Sequence, residues 1–427
     1  MWINRDKKTK TVGKRTDMEN KKLTKLEKYW IMYDVGNSAF VMLIATIIPI
    51  YFNYLAKSAG ISEVNYLAYW GYAASVSTVI VAAIGPVLGS IADMQNYKKP
   101  LFTISMMVGV IGCAAMSFPT SWVIFLAVFV IAKVGYNASL IFYDSMLVDI
   151  TSTDRMDEVS SQGYAWGYIG SCIPFFLSLV LVLMYEKIGI TMHMAMTGAF
   201  ILNAVWWAVV TIPLLRNYRQ KNYVAVPSHS VKNSFKRLGQ TFMDVHKEKK
   251  IFWYLLAFFF FIDGVYTIIE MATAYGSALG LDSTGLLLAL LVTQIVAFPC
   301  ALICAKLSGK YPTERLIGVC IVAYIGIALF AIQLDKQWEF WTLAVLVGMF
   351  QGAIQALARS YFAKIIPAEK SGEYFGIYDI CGKGASFMGT TLVGIVAQVT
   401  GVANAGVAVI AVLFVIGYIL FKKAVRA

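Results

Sequence analysis

The sequence predicts an all-α membrane protein of about twelve spanning helices, arranged as two pseudo-symmetric six-helix bundles. Three observations predict it. Of the 427 residues, 59% are hydrophobic and 14% are charged, too few polar groups to coat a water-soluble body of this size. Apolar segments long enough to cross a bilayer, which takes about 20 residues, recur twelve times along the chain. One long polar connection, 216–250, divides them six and six.

The apolar segments lie at 30–56, 66–92, 100–118, 122–148, 162–185 and 192–215, then at 251–275, 284–307, 315–334, 338–362, 374–399 and 403–421. Residues 1–28 read as a basic tail, 29–215 as the N-terminal bundle, 216–250 as a linker, and 251–427 as the C-terminal bundle with a short basic tail. The first 28 residues lack the short apolar core and small-residue site of a cleaved signal peptide. Within the linker, 231–247 has the pattern of an amphipathic helix lying on lipid headgroups, with Phe235, Leu238 and Phe242 on one side.

A net charge of +12 invites a nucleic-acid reading, but its distribution argues for topology. With both termini cytoplasmic, nearly all Lys and Arg fall on that side. Lys57, Lys187 and Lys336 lie outside, and Lys133 and Lys383 lie deep within spans. A bacterial cytoplasmic membrane is the expected location, with the lipid bilayer as partner and a monomer as a reasonable state. The six cysteines sit almost entirely in apolar runs. Cys300 and Cys304 share a helix face without a third ligand, so no disulfide framework and no metal site is expected. No Gly-x-x-x-x-Gly-Lys-Ser/Thr run occurs, and His193, His229 and His246 lie at a helix end or in the linker. Neither an enzyme nor a cofactor is indicated.

An ionisable side chain inside a bilayer costs about 2.5–3.5 kcal/mol on insertion scales, so each one marks a candidate site. Asp34, with Asn37 one turn on, is a proton or amine site or else a latch acid near the cytoplasmic surface. Asp263 lies near mid-membrane beside Gly264, and Glu270, seven residues on, extends it into a short proton path or serves an outer gate. Asp379 and Lys383 are spaced to pair on one helix face, either as a structural pair or with Lys383 taking a solute carboxylate. Lys133 needs an acid from another span, with Asp34 or Asp263 as possible donors. Tyr164, Trp166 and Tyr168, beside the glycine-rich face of Gly163, Gly167 and Gly170, are candidates for a cavity wall or for interfacial anchors. Gln294, Gln351 and Gln355 could offer neutral hydrogen bonds.

The halves show a weak internal repeat. Tyr33-Asp34-Val35-Gly36 in the first span has its counterpart in Ile262-Asp263-Gly264-Val265 of the seventh, and Gly135 in the fourth aligns with Gly352 in the tenth. Parallel six-helix repeats build rocking-bundle transporters with a site at the repeat interface.

Several segments resemble one branch of the major facilitator superfamily, the vacuole effluxers of fungi and their bacterial relatives. They are Tyr33-Asp34-x-x-Asn37-Ser38-Ala39-Phe40, Tyr164-Ala165-x-Gly167-Tyr168-x-Gly170-Ser171, Asp263-Gly264-Val265 and Gln351-Gly352-x-x-Gln355-Ala356-Leu357-x-Arg359-Ser360-Tyr361. The last runs on through Ile366-Pro367-Ala368-Glu369 to Gly382-Lys383-Gly384. Val35 and Gly36 depart from that family's usual Trp and Ala. Gly85-x-x-x-Gly89-x-x-Ala92-Asp93 with Lys98 and Lys99 resembles the superfamily's loop motif that latches the inward gate, although Met94 and Asn96 replace its usual Arg and Gly. The second-half copy is more degraded, with Ala305 and Gly309 where Gly and Asp are usual, so the first latch is expected to be the stronger.

The resemblance implies a major facilitator fold and a secondary transporter, with Gly89, Asp93, Lys98, Lys99 and Arg359 in gating. The fungal relatives imply efflux of neutral amino acids. The expectation is alternating access for a small zwitterion, driven by its own gradient or by protons bound at Asp34 and Asp263. The rivals are a carrier of drugs, peptides or organic acids, and a lipid flippase or scaffold of the same architecture.

Overall fold

The protein is described here from a computed structural model, in which residues 22–224 and 240–427 are described, apart from 242, 279 and 402. The basic tail up to residue 21 and most of the expected linker helix lie outside the described residues. Within 240–247 the described positions are helical.

Twelve helical segments are long and apolar enough to cross a membrane. The first span is α1 (Lys25–Ala45) followed by α2 (Ile47–Ser58), and spans two and three are α3 (Glu63–Ala92) and α4 (Lys98–Ala115). The fourth is α5 (Trp122–Ser145) with the single turn α6 (Leu147–Ile150), and the fifth and sixth are α7 (Met156–Ile188) and α8 (Met192–Asn217). The second half comprises α9 (Lys249–Ala278), α10 (Ser283–Ser308), α11 (Thr313–Ile332), α12 (Gln337–Ile365), α13 (Ser371–Thr400) and α14 (Ala403–Arg426).

Local chemistry explains the ends and breaks. Thr24 opens α1 with a reciprocal cap: its hydroxyl accepts from the Glu27 amide at 3.2 Å, and the Glu27 carboxylate accepts from the Thr24 amide at 2.6 Å. The chain breaks at Thr46, three residues before Pro49, which has no amide for the Ala45 carbonyl and whose ring crowds it. Left-handed Gly189 and Gly401 stop α7 and α13.

In the first half α1 packs on α7 and α8, α4 on α5 and α8, and α3 on α5. In the second, α9 packs on α13 and α14, α10 on α12, and α11 on α12 and α14. The halves meet through α3 against α13, α7 against α10 and α12, and α5 against α13. The α3–α13 and α7–α10 contacts are the same pair under the internal repeat, span two with eleven and span eight with five. Large apolar side chains such as Val79, Leu183 and Ile419 are exposed, as a lipid-solvated surface requires.

Candidate functional site between the bundles

The charged groups that join the halves cluster toward the end where the linker emerges. Among them is Arg359 of α12, only 3% exposed, which reaches into the other bundle. Its Nη1 donates to Asp144 of α5 at 3.0 Å and its Nη2 to Asp34 of α1 at 3.3 Å. Nε donates to the Ser160 hydroxyl at 2.9 Å and Nη2 to the Ser160 carbonyl at 3.1 Å. Trp30 and Tyr164 cover the guanidinium, with ring centroids 4.7 and 4.5 Å away. Trp30 and Tyr143 are stacked at 4.4 Å, and each donates to the other's carbonyl. Gly163 matters by its bareness, since a methyl there would strike the Asp34 carboxylate. The glycine-rich face of α7 thus packs on Asp34, Ser38 and Val35 of α1.

A layer nearer the linker holds two latches. Asp93, at the end of α3, is fully buried and caps the first turn of α13, accepting from the amides of Gly372 at 2.7 Å and Glu373 at 2.9 Å. A carboxylate at a helix N-terminus meets free amides and the positive end of the dipole. Lys98 lies 4.0 Å from Asp93 and 3.5 Å from Asp149, and donates to the Ser371 hydroxyl at 2.8 Å. Gly89 meets the Gly372 backbone, and Gly376 meets Gly85 and Pro86, so α3 and α13 touch backbone to backbone. Lys99 is half-buried and is not among the groups holding Asp93.

A second tie centres on Asp157, in the first turn of α7, which accepts from Lys364 at 2.6 Å, from Ser360 at 2.6 Å and from Thr313 at the start of α11. Its partners lie on spans nine and ten, so it joins the bundles at a place other than the span-eight loop at Gly309.

Above these layers the candidates separate. Tyr136, Tyr164, Tyr168, Tyr266 and Tyr378, from α5, α7, α9 and α13, share one electrostatic neighbourhood with Asp34, Asp144 and Asp379. Gln355 donates to Tyr168 at 3.5 Å and to the Gln351 carbonyl at 3.0 Å. Asn37 turns back to the Tyr33 carbonyl at 3.0 Å and reaches Asp34 only at 3.5 Å. Asp379 and Lys383 pair at 2.5 Å. The electrostatic neighbours of Lys133 are Glu270 and Lys383, not the expected Asp34 or Asp263.

Three further candidates lie outside this group. Trp166 is 45% exposed, donates to Gln162 and packs edge-on against Phe298 of α10, because two residues of helix turn it away from Tyr164 and Tyr168. Gln294 is half-buried on α10. Asp263 is fully buried inside the second bundle, accepting from the Gly389 amide at 3.0 Å and from Thr267 at 3.3 Å, with Oδ2 unpartnered. Glu270 remains its electrostatic neighbour. Asp34, unlike Asp263, faces the other bundle, where it pairs with Arg359.

Sequence reasoning passed over Asp144, Asp149, Asp157, Ser160, Lys364, Tyr136 and Tyr266. One signal was available for Asp144: Tyr-Asp recurs at 33–34, 143–144 and 378–379, and all three acids face the interface region. Asp157 looks in sequence like any acid in a first helical turn.

Twelve apolar spans in two six-helix halves, joined by charged networks at one end, define a membrane transporter of the major facilitator type. The chain is similar to solved transporters of that class. With the transporter FucP in its outward conformation the TM-score is 0.71 at 10% identity, covering 94% of this chain and 97% of that one. With a bacterial homologue of the iron transporter ferroportin in its outward-facing state it is 0.69 at 12%, covering 95% and 99%. With the human organic anion transporter MFSD10 it is 0.63 at 14%, covering 93% and 99%. Residues 24–157 and 148–426 match the family described as vacuole effluxer Atg22 like, and the chain belongs to that family. An uncharacterized MFS-type transporter, YxiO of Bacillus subtilis, is 41% identical over 405 residues, covering 94% of this chain and 95% of its own. Autophagy-related protein 22-1 of Aspergillus niger is 23% identical over 283 residues, 61% of this chain but 45% of that protein.

Proposed function

We propose that this transporter carries a small zwitterionic solute, such as a neutral amino acid, by alternating access, and that its gate on the linker side is shut in this structure. The supporting observation is Arg359, which ties α12 of one bundle to Asp34, Asp144 and Ser160 of the other, flanked by the Asp93 and Asp157 latches. The linker side is the cytoplasmic side, as the Lys and Arg distribution argues. The likeness to outward-facing transporters fits that orientation.

On α13, Asp379 and Lys383 hold both signs of charge close together. A zwitterion exchanges with such a pair, its amine taking the acid and its carboxylate the lysine, so desolvation of each charge is offset by a partner. Release toward the cytoplasm requires Arg359 to leave Asp34 and Asp144. Either acid then binds a proton or a solute amine. Asp263, buried without a cation and with one oxygen unpartnered, is the second proton site. Family membership favours export.

Counterflow in proteoliposomes tests the reading. Vesicles preloaded with unlabelled neutral amino acids should accumulate one labelled species from outside, and an imposed pH gradient should change the extent. Folded, inserted protein that accumulates none of the panel would overturn the amino-acid assignment in favour of another solute class.

A further inference from the structure

We infer that the residues leaving the sixth span, 218–224, form a strap that holds Asp93 in its capping pose, with Gln220 as the residue that positions the latch. The inference builds on the shut gate of the proposed function and holds whichever solute is carried. The strap begins just past α8, and its anchor is Asp149 of α6, only 1% exposed. One carboxylate oxygen of Asp149 accepts from the Tyr218 hydroxyl at 2.6 Å. The other accepts from the amides of Lys221 at 3.2 Å and Asn222 at 2.8 Å, and from the Asn222 side chain at 2.9 Å. Asn222 also donates to the Val148 carbonyl at 3.2 Å. Held there, the strap meets the 93–97 loop. Gln220 donates to the Ala92 carbonyl at 3.0 Å and accepts from the Lys98 amide at 3.4 Å, so one side-chain amide bridges both ends of the loop. The Val224 amide donates to the Asp93 carbonyl at 2.8 Å, beside a parallel bridge between Met94 and Val224.

These bonds add to what the loop does for itself. The loop turns at Asn96 with φ of 67°, a left-handed conformation that few side chains other than Asn and Asp adopt. Its own backbone bonds, from Met94 to Ile91 at 3.1 Å and from Tyr97 to Met94 at 3.2 Å, close single turns. Yet Asp93 must aim both oxygens at successive amides of α13, at 2.7 and 2.9 Å, and a hydrogen bond weakens steeply as its angle falls. The strap's partners Ala92, Asp93, Lys98, Val148 and Asp149 all belong to the N-terminal bundle. The strap therefore travels with that bundle and need not break when the gate opens. It shapes the latch and leaves closure to the cap itself. Asp93 thus faces two ways, its carboxylate on the other bundle and its carbonyl on the entry to the linker. A displacement of that entry passes through one residue to the gate.

Alkylation by N-ethylmaleimide, followed residue by residue by mass spectrometry on the whole chain in lipid vesicles, tests this without a known solute. Cys304 of α10 is 6% exposed and accepts from the Ser161 hydroxyl of α7 at 3.9 Å, so it reports the parting of the bundles. Cys113 of α4, fully buried and donating to the Phe200 carbonyl of α8 at 3.6 Å, reports general loosening within one bundle. Gln220→Ala should raise alkylation of Cys304 about fivefold or more, the worth of one such bond, and leave Cys113 protected. Asp93→Asn should act in the same direction, and Gln220→Ala added to it should have little further effect, because the strap works through Asp93. Val224→Pro, which removes the amide donating to the Asp93 carbonyl, carries the test should Gln220→Ala not fold. No rise at Cys304, equal rises at both cysteines, or a full further rise in the double variant overturns the inference while leaving the shut gate standing. Asp93→Asn protein with Cys304 still protected overturns both.

Discussion

Arg359 answers two carboxylates with a single guanidinium, and its removal would leave Asp34 and Asp144 facing each other in a dry interface. Breaking a buried pair of this kind costs about 3–5 kcal/mol, more than the pair itself contributes. Arg359→Ala is therefore expected to abolish counterflow and to lower thermal stability. Arg359→Lys should fail almost as badly, since an ammonium cannot span Asp34, Asp144 and Ser160 at once. Activity in the Lys variant within a few-fold of wild type would contradict that role. Asp93 makes a pH prediction. Burial in the shut gate, helped by the charge of Glu373, pushes its carboxyl up to about 7 against the pull of Lys98 and the Gly372 and Glu373 amides. An opened, hydrated Asp93 returns to about 3.9. The shut gate thus binds the extra proton: closure gains as pH falls through about 7, by roughly tenfold per pH unit down to about 4, and the gain is lost above 7. Fluorescence quenching between probes on the 93–97 loop and the start of α13 should show this slope, and Asp93→Asn should flatten it. At this scale the sequence was informative where a residue broke a pattern, as a charge in an apolar run does. It was uninformative for Asp157, whose partners Thr313, Ser360 and Lys364 become neighbours only through the packing of distant helices.

Helices carry the next level. Period and length placed all twelve spans, because lipid leaves the backbone no alternative to internal hydrogen bonds. Their ends run further than hydropathy indicates, α7 beginning at Met156 and α13 at Ser371, because their first turns carry polar residues that the opposite bundle satisfies. The crossing of α3 and α13 depends on Gly89, Gly372 and Gly376 meeting backbone. Gly89→Val should hold the helices apart, and alkylation of a single cysteine placed beside Asp93 should rise several-fold. Unchanged protection would show that the crossing tolerates bulk. Gly326 of α11 is the control, with open space where a methyl would go. Gly326→Ala should leave transport intact and raise stability by about 0.5–1 kcal/mol, the usual difference between the two residues inside a helix.

For the whole molecule, the repeat pairs the interface helices, span two meeting span eleven as span eight meets span five. The two latches are not copies under it, because Asp93 joins spans two and eleven whereas Asp157 joins span five to spans nine and ten. Sequence comparison of the halves could read the loss of the acid near Gly309, but not the tie of Asp157 to Thr313, Ser360 and Lys364, because partners across an interface leave no mark within either repeat. The separation of Asp263 from the interface needed the packing of α9 against α13.

The most direct measurement is a pair of distances by electron spin resonance, one between probes at the linker ends of α3 and α13, the other between probes at the far ends of α2 and α9. Each is taken in the absence and presence of a mixture of neutral L-amino acids. The linker-side distance should lengthen as the far-side distance shortens, with both changes suppressed when Arg359 is replaced. Distances that stay fixed, or that change together in the same direction, would contradict a rocking carrier with its gate at Arg359.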